Sequence, residues 1–379
     1  MSRITTKDLG DLRESRAGAG RVLSVYLDVD QSKAANLNRR FEGAFESRIQ
    51  LIAGKFEEEY EQSDFLRCVG DVRKLLSAYE PHGRSLVIFA RSAGKTWFRE
   101  LNVPVGTEVH WGAAPYLHPL VEALDEFEAY MVVVADRAHS RVFTVRLGTI
   151  EKQAEIHALG TVRHLKTSGT GHLYSQSHIQ RRADGNVLGH FKRVIEVLEH
   201  VANMNAPARL VLAGNAEAIS ELFRLLPKSL RGRVAGSAVM PANAPEKEIL
   251  EGTLALARKA ERLQELEKVE RLLTSAAKGD KAVVTFRHTL QAFNEDRVRE
   301  LVYAEGFSAL GGVCEHCHVM FPSDDLNCEI CGMPVKPADD LIENTISAAL
   351  AAGAAVEQLR GPAADKLLAA GGIGAFLRF

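Results

Sequence analysis

Cysteine is scarce in this chain: five in 379 residues, four of them crowded between positions 314 and 331 and the fifth, Cys68, alone far upstream. That distribution excludes a fold framed by several disulfides. No apolar run reaches the length needed to span a membrane, and residues 1–18 are polar and charged, without the apolar core of a secretory signal. The expectation is a cytoplasmic protein with reduced thiols. Charge of one sign is also lacking. Lys and Arg total 47 against 49 Asp and Glu, for a net charge of −2, so no global basic field draws the chain to nucleic acid. Any RNA contact has to come from a local patch. Internal repeats and low-complexity linkers are missing too, which argues against a solenoid or a disordered chain. What is present is globular: 46% apolar and 25% charged residues. The length exceeds one ordinary core, so two or three domains are expected.

The strongest chemical signal is the pair Cys314-x-x-Cys317 and Cys328-x-x-Cys331, ten residues apart. Two such knuckles suit four thiolates closing tetrahedrally on one Zn²⁺. Gly332, directly after the second pair, supplies the backbone freedom a tight turn needs. His316 and His318 lie inside and beside the first knuckle and could replace a ligand, but four cysteines leave them spare. An all-thiolate site has no open position, so the metal is expected to be structural, stapling a ribbon over 311–336. Two disulfides are the weaker reading of the same residues.

The order of predicted elements points to an α/β protein of three domains. Residues 1–125 read as an α/β domain. Strands are expected at 21–28, 85–90 and 95–103, and helices at about 38–61, 71–79 and near Leu120. A central domain, 126–277, opens with a hairpin of 130–136 and 141–146 and a third strand at 153–158. A long polar stretch over 160–177 leads into a basic helix, 178–204. Strands at 209–214 and 234–240 then alternate with helices ending near 226 and spanning 246–276. Mixed strands followed by parallel βα units suggest a three-layer, mixed-sheet domain. The third domain, 278–379, is α/β with the ribbon inserted. It is expected to hold a strand at 281–285, helices at 288–303 and 340–352, and a strand at 356–360. The pair Gly185-Asn186 marks an expected kink or short loop inside the basic helix.

The polar stretch looks like a site. A helix N-terminus carries a positive dipole and favours acidic side chains. Here His178, Arg181 and Arg182 add positive charge to that end, and Lys192 and Arg193 extend it, with His164 and Lys166 upstream. Such an end suits an anion, phosphate above all; a solvated loop with incidental charge is the plain alternative. Gln176 does not titrate, so it is no general acid or base, but its amide could hold a water or donate to an oxyanion. Ser177 and His178 are adjacent, yet one sequence argues no Ser-His-Asp arrangement. Asp136, Asp184 and Glu196 are scattered, which leaves a two-metal nuclease unsupported.

Taken together these residues resemble the archaeal and eukaryotic class-one peptide release factors, through their divergent bacterial relatives, a superfamily related to Pelota and to bacterial hibernation and rescue proteins. The closing segment 367–379, with Gly371-Gly372-Ile373-Gly374-Ala375-Phe376-Leu377, is similar to that family's last strand. Residues 351–357 resemble the segment leading into it, and 132–143 the hairpin opening the middle domain. The four cysteines stand where archaeal members carry theirs. The resemblance implies a middle domain that reaches the peptidyl transferase centre with a Gly-Gly-Gln loop ahead of a basic helix. Here Gln176-Ser177 falls at that place, within a loop expected over 160–178, but Tyr174 and Ser175 replace the two glycines. The family's stop-codon loop, Asn-Ile-Lys-Ser, has no counterpart string, so codon reading is not expected.

Two functions follow from that resemblance. In one, the chain enters the ribosomal A site and protects or marks a vacant or stalled ribosome through rRNA, with P-site tRNA as a further contact. A translational GTPase would then bind the C-terminal domain. In the other, Gln176 supports codon-independent hydrolysis of peptidyl-tRNA. A stand-alone RNA-binding or nuclease module is a third reading. Membrane and DNA are not expected partners.

Overall fold

The computed structural model describes residues 20–53, 59–92, 94–158, 172–205, 207–314, 316–322, 327–338 and 340–379. For residues 59, 172–184 and 205 it describes the backbone alone. The chain is mixed α/β with several separate sheets, and it divides into two compact units. One is Met1–Asp125 with Arg262–Phe379, the other Glu126–Glu261.

The N-terminal part of the first unit is a sheet of β1 (Val22–Asp28), β2 (Ser85–Arg91), β3 (Trp97–Leu101) and β4 (Glu108–Gly112), ordered β3-β2-β1-β4. Every pair in it is antiparallel. Alternate residues of β1 and β2, such as Leu23, Val25, Leu86 and Ile88, pack against two helices, α1 (Arg40–Ala53) and α2 (Glu59–Ala78). Phe41, Phe45 and Ile49 recur at four-residue spacing along α1, and Phe65, Val69, Val72 and Leu76 form the stripe of α2. That second stripe places the start of α2 at Glu59, twelve residues ahead of the expected helix at 71. β4 escaped the sequence reading because none of its residues is fully buried and its side chains alternate without an apolar run. Helix α3 (His118–Glu126) follows.

The second unit contains β5 (Tyr130–Ala135), β6 (His139–Arg146), β7 (Thr149–His157), helix α4 (His172–Asn205), β8 (Arg209–Gly214), α5 (Ala216–Leu225) and β9 (Val234–Val239). The sheet order is β7-β6-β5-β8-β9. β5–β6 and β6–β7 are antiparallel, and β5–β8 and β8–β9 are parallel. β5 and β8 are buried along their whole length, which is why both read as continuous apolar runs. One face packs Met131, Val133 and Leu212 against Phe191, Val194 and Leu198 of α4 and Leu222 of α5. The other packs Val132, Val134 and Val211 against Ile249 and Ala257 of a long helix, α6 (Glu246–Ala277). The mixed strand order and helices on both faces agree with the expected architecture. The helix expected from 178 begins at His172 and runs without interruption through Gly185 and Asn186 to Asn205, so no kink or loop divides it. Residues 172–178 are therefore helix and not part of a loop, while the remainder of the expected loop lies outside the described residues.

The C-terminal part of the first unit has a sheet ordered β10-β16-β11-β15. Its strands are β10 (Ala282–Val284), β11 (Val298–Ala304), β15 (Ala355–Leu359) and β16 (Ile373–Leu377). Helices α7 (Phe286–Asn294) and α8 (Leu341–Ala351) cover one face. The last turns of α6, with Val269 and Leu272, and α9 (Gly361–Ala369) cover the other. The helix expected over 288–303 is wrong in its second half. Asn294 ends it, Asp296 turns at φ 54°, and residues 298–304 become β11 in the middle of the sheet. Val298, Leu301, Val302 and Tyr303 satisfy either period in a short run, and burial on both faces decided for the strand. Helix α9, entered through Gly361-Pro362, was not foreseen. Between β11 and α8 lies a separate small sheet of β12 (Gly311–Cys314), β13 (Met320–Phe321) and β14 (Val335–Ala338), ordered β13-β12-β14.

Candidate functional site

The four cysteines converge at one end of the β12–β14 sheet. Cys314 ends β12, opposite Val335 of β14. The two knuckles repeat one backbone design. His318 N–H donates to the Cys314 carbonyl and Gly332 N–H to the Cys328 carbonyl, both at 2.9 Å. His318 and Gly332, the residues directly after Cys317 and Cys331, both take positive φ, 59° and 72°. Backbone amides also approach the sulfurs, Cys317 N at 3.5 Å from Cys314 Sγ and Ile330 N at 3.4 Å from Cys328 Sγ.

The sulfurs stand 3.4 Å apart for Cys314–Cys331, 3.5 Å for Cys317–Cys328 and 3.6 Å for Cys317–Cys331. A disulfide needs about 2.05 Å, so none is formed. Four thiolates at about 2.3 Å from a tetrahedral ion would lie about 3.8 Å apart, close to the spacing observed. The four thiols can hold one metal ion, and the group contains cysteines alone, with His316 and His318 exposed outside it. Crowding splits their acidity. The Cys317 backbone N–H is the main influence that pulls the Cys314 thiol down to about 6. Cys331 is held down by the Met333 backbone N–H, but burial and the thiols around it outweigh that and push it up to about 12. Cys68 stands apart, buried and pushed up to about 11 by that burial, which makes it inert.

Helix α4 carries the basic residues. Val187, Phe191, Val194 and Leu198 bury one side of it against the sheet. At 100° per residue, positions 178, 181, 182, 185, 189, 192 and 193 fall within a sector of about 120° on the opposite side. Lys192 there is exposed, and Arg193 is half-buried with its Nε donating to the Gly189 carbonyl at 3.3 Å. A Cβ at Gly185 or Gly189 would meet nothing within 4 Å, so both glycines open onto free space in that sector. The fold thus brings the positions of His178, Arg181, Arg182, Lys192 and Arg193 onto one side of one helix.

Position 176 lies in the angular sector of Val187, Val194 and Leu198, away from the basic positions. It is the fifth residue of the helix. Only the first four N–H groups of an α-helix, the cap residue's included, are free of intrahelical partners, so the Gln176 backbone N–H falls among the engaged ones. His164, Lys166, Gly169 and Gly171 lie outside the described residues. Asp136 serves its own turn, accepting from the N–H groups of Ala138 and His139 at 2.7 and 2.6 Å. Among the described residues no helix is long and apolar enough to cross a membrane.

Residues 115–258 match a known family, "Bacterial archaeo-eukaryotic release factor family 10". No curated protein sequence matches the chain. Among solved structures it is similar to an archaeal translation termination factor, aRF1, at 14% identity and TM-score 0.27, with 99% of this chain and 97% of that one covered. It is similar to Archaeoglobus fulgidus Pelota at 17% identity and TM-score 0.37, covering 78% and 79%. A ribosome-bound archaeal Pelota, described together with ABCE1, aligns at 14% identity and TM-score 0.44, covering 100% and 95%.

Proposed function

We propose that the chain, whose residues 115–258 match a bacterial family of archaeo-eukaryotic release factors, is a divergent member of that superfamily and a ribosome-binding translation factor. It enters the A site without reading a stop codon and acts in hibernation or in the handling of stalled ribosomes in the cytoplasm. The observation that carries this reading is the family match falling on the unit whose long helix presents its basic positions away from the core. Arg181, Arg182, Lys192 and Arg193, with His178, contact rRNA phosphates, and P-site tRNA lies within the same proposal. Local charge on one helix side answers the lack of a basic excess in the whole chain.

The cysteines hold one Zn²⁺. It closes a small ribbon around a cluster of Phe321 and Val335, too few apolar residues to fold alone. With four thiolates bound, no position is left for substrate, so its part is structural. A translational GTPase docks on residues 278–379.

Peptide hydrolysis at Gln176 is the second reading. Two observations favour binding over hydrolysis. Tyr174 and Ser175 carry Cβ atoms where close approach to an ester needs bare backbone, and the Gln176 backbone N–H, engaged within the helix, is not free for an oxyanion, which leaves that part to its carboxamide alone. The deciding experiment mixes the purified chain with ribosomes holding peptidyl-tRNA. Co-sedimentation without freed peptide is expected. Failure to co-sediment removes the proposal, and rapid release of peptide replaces it with the enzyme.

A further inference from the structure

The far end of the β6–β7 ladder gathers three ligand-type side chains that neither the thiols nor the basic side of α4 employs. β6 and β7 pair so that His139 lies opposite His157 and Arg141 opposite Glu155. Directly paired residues share a sheet face, and so do residues two apart, which puts His139, Glu155 and His157 on one face. The two imidazoles stack, with centroids 4.7 Å apart and planes 22° from parallel. Their Nε2 atoms converge on a single carboxylate oxygen, Glu155 Oε1, at 2.9 Å from His139 and 3.8 Å from His157. The other oxygen of Glu155 accepts from Lys152 Nζ at 2.7 Å, which fixes the carboxylate. Asp136 fixes the turn that carries His139.

A hydrogen-bonded His–Glu pair accounts for His139 and Glu155. It does not account for His157, whose Nε2 turns to the same oxygen at a distance beyond a hydrogen bond. Two protonated rings stacked this closely would repel. A cation between the lone pairs of two neutral imidazoles and a carboxylate satisfies all three. About 3.3 Å separates the donor atoms around a tetrahedral zinc with bonds near 2.0–2.1 Å, a value lying between the two separations seen. The His157 side chain is 70% exposed, so it is free to complete that geometry.

We propose that His139, Glu155 and His157 form a second metal site, for a divalent transition-metal ion of the Zn²⁺ type. Two imidazoles with one carboxylate suit such an ion and not Mg²⁺ or Ca²⁺, which prefer oxygen ligands throughout. Three protein ligands leave a position for water. The ion links the start of β6 to the end of β7, where the chain continues into residues 159–171.

The test uses the untagged full-length chain with zinc already on its cysteines. Calorimetric titration with Zn²⁺ should show one further equivalent. His157→Ala and Glu155→Gln should each weaken that binding tenfold or more, while circular dichroism stays unchanged. Co²⁺ added to the zinc-loaded chain should give d–d bands without thiolate-to-metal charge transfer, and those bands should vanish in His157→Ala. The absence of a further equivalent overturns the proposal. Parental affinity in both variants, or a thiolate charge-transfer band from the added cobalt, overturns it as well.

Discussion

His118 Nε2 lies 2.9 Å from the Tyr303 hydroxyl, although 185 residues separate the two in the chain. The contact ties α3 to β11 within the first unit, and the Glu122 carboxylate stands 3.0 Å from the same nitrogen. Burial disfavours protonated His118, but Glu122 outweighs it and the imidazole pKa is raised. Burial likewise opposes ionised Glu122, and His118 outweighs that, so the carboxyl pKa is lowered. The His118 contribution is therefore complete below its unfolded value of about 6.5 and is lost as pH rises through the higher folded value. The Glu122 contribution is present above about 4.3 and lost as pH falls. The urea midpoint should drop between pH 6 and pH 8.5, and His118→Gln should flatten that drop. Parallel pH profiles for the two proteins would remove the pair from the stability balance.

Gly214 ends β8 at φ 123°, and a Cβ built there would lie 2.0 Å from the Ala135 carbonyl oxygen. Gly214→Ala must both strain the backbone and push β5 from β8. A loss of about 1–3 kcal/mol or more is expected in chemical denaturation. A variant as stable as the parent would mean that this strand end relaxes freely.

Cys328→Ser removes one of four thiolates. Tightly held zinc, measured by atomic spectroscopy after exchange into a weak chelator, should fall well below one per chain. The sheet of β10, β11, β15 and β16 has its own core and should keep its melting transition. Retention of a full equivalent in the variant would argue against the four-thiolate site.

Lys192 and Arg193 lie on the side of α4 opposite its core-facing residues, so charge reversal there tests the rRNA contact without touching the core. With about four phosphates neutralised, ribosome affinity should fall roughly a hundredfold between 50 and 200 mM salt. The Lys192→Glu/Arg193→Glu pair should reduce both the affinity and that slope, and Arg181→Glu/Arg182→Glu should abolish co-sedimentation. Salt-independent binding would shift the interface to another surface.

Gln176→Ala separates the two readings of α4. Loss of one oriented oxyanion donor slows hydrolysis by about a hundredfold or more, whereas a binding factor is indifferent to it. We expect the same slow peptide release and the same ribosome affinity from parent and variant. Efficient release by the parent, abolished in Gln176→Ala, would make the protein a hydrolase.

Local spacing alone determined several features. The Cys-x-x-Cys pairs announced a cluster of four thiols able to hold a metal ion, because knuckle geometry is set within a few residues. The unbroken apolar runs of β5 and β8 announced buried strands, and alternation of elements announced the mixed central sheet. Other features depended on what each segment packs against. Residues 298–304 fit a helix as well as a strand until burial between two layers chose the strand. Glu108–Gly112 joined a sheet only because β1 offered it a free edge. Gly185 lost its expected kink because Val187 and Phe191 hold the helix on the sheet. The start of α4 at His172, which takes Gln176 into a helix, has no apolar stripe in the sequence to mark it. His139, Glu155 and His157 span nineteen positions with no motif spacing. Only the register of β6 on β7 brings their donor atoms together, because pairing across strands is a long-range choice that no local pattern encodes.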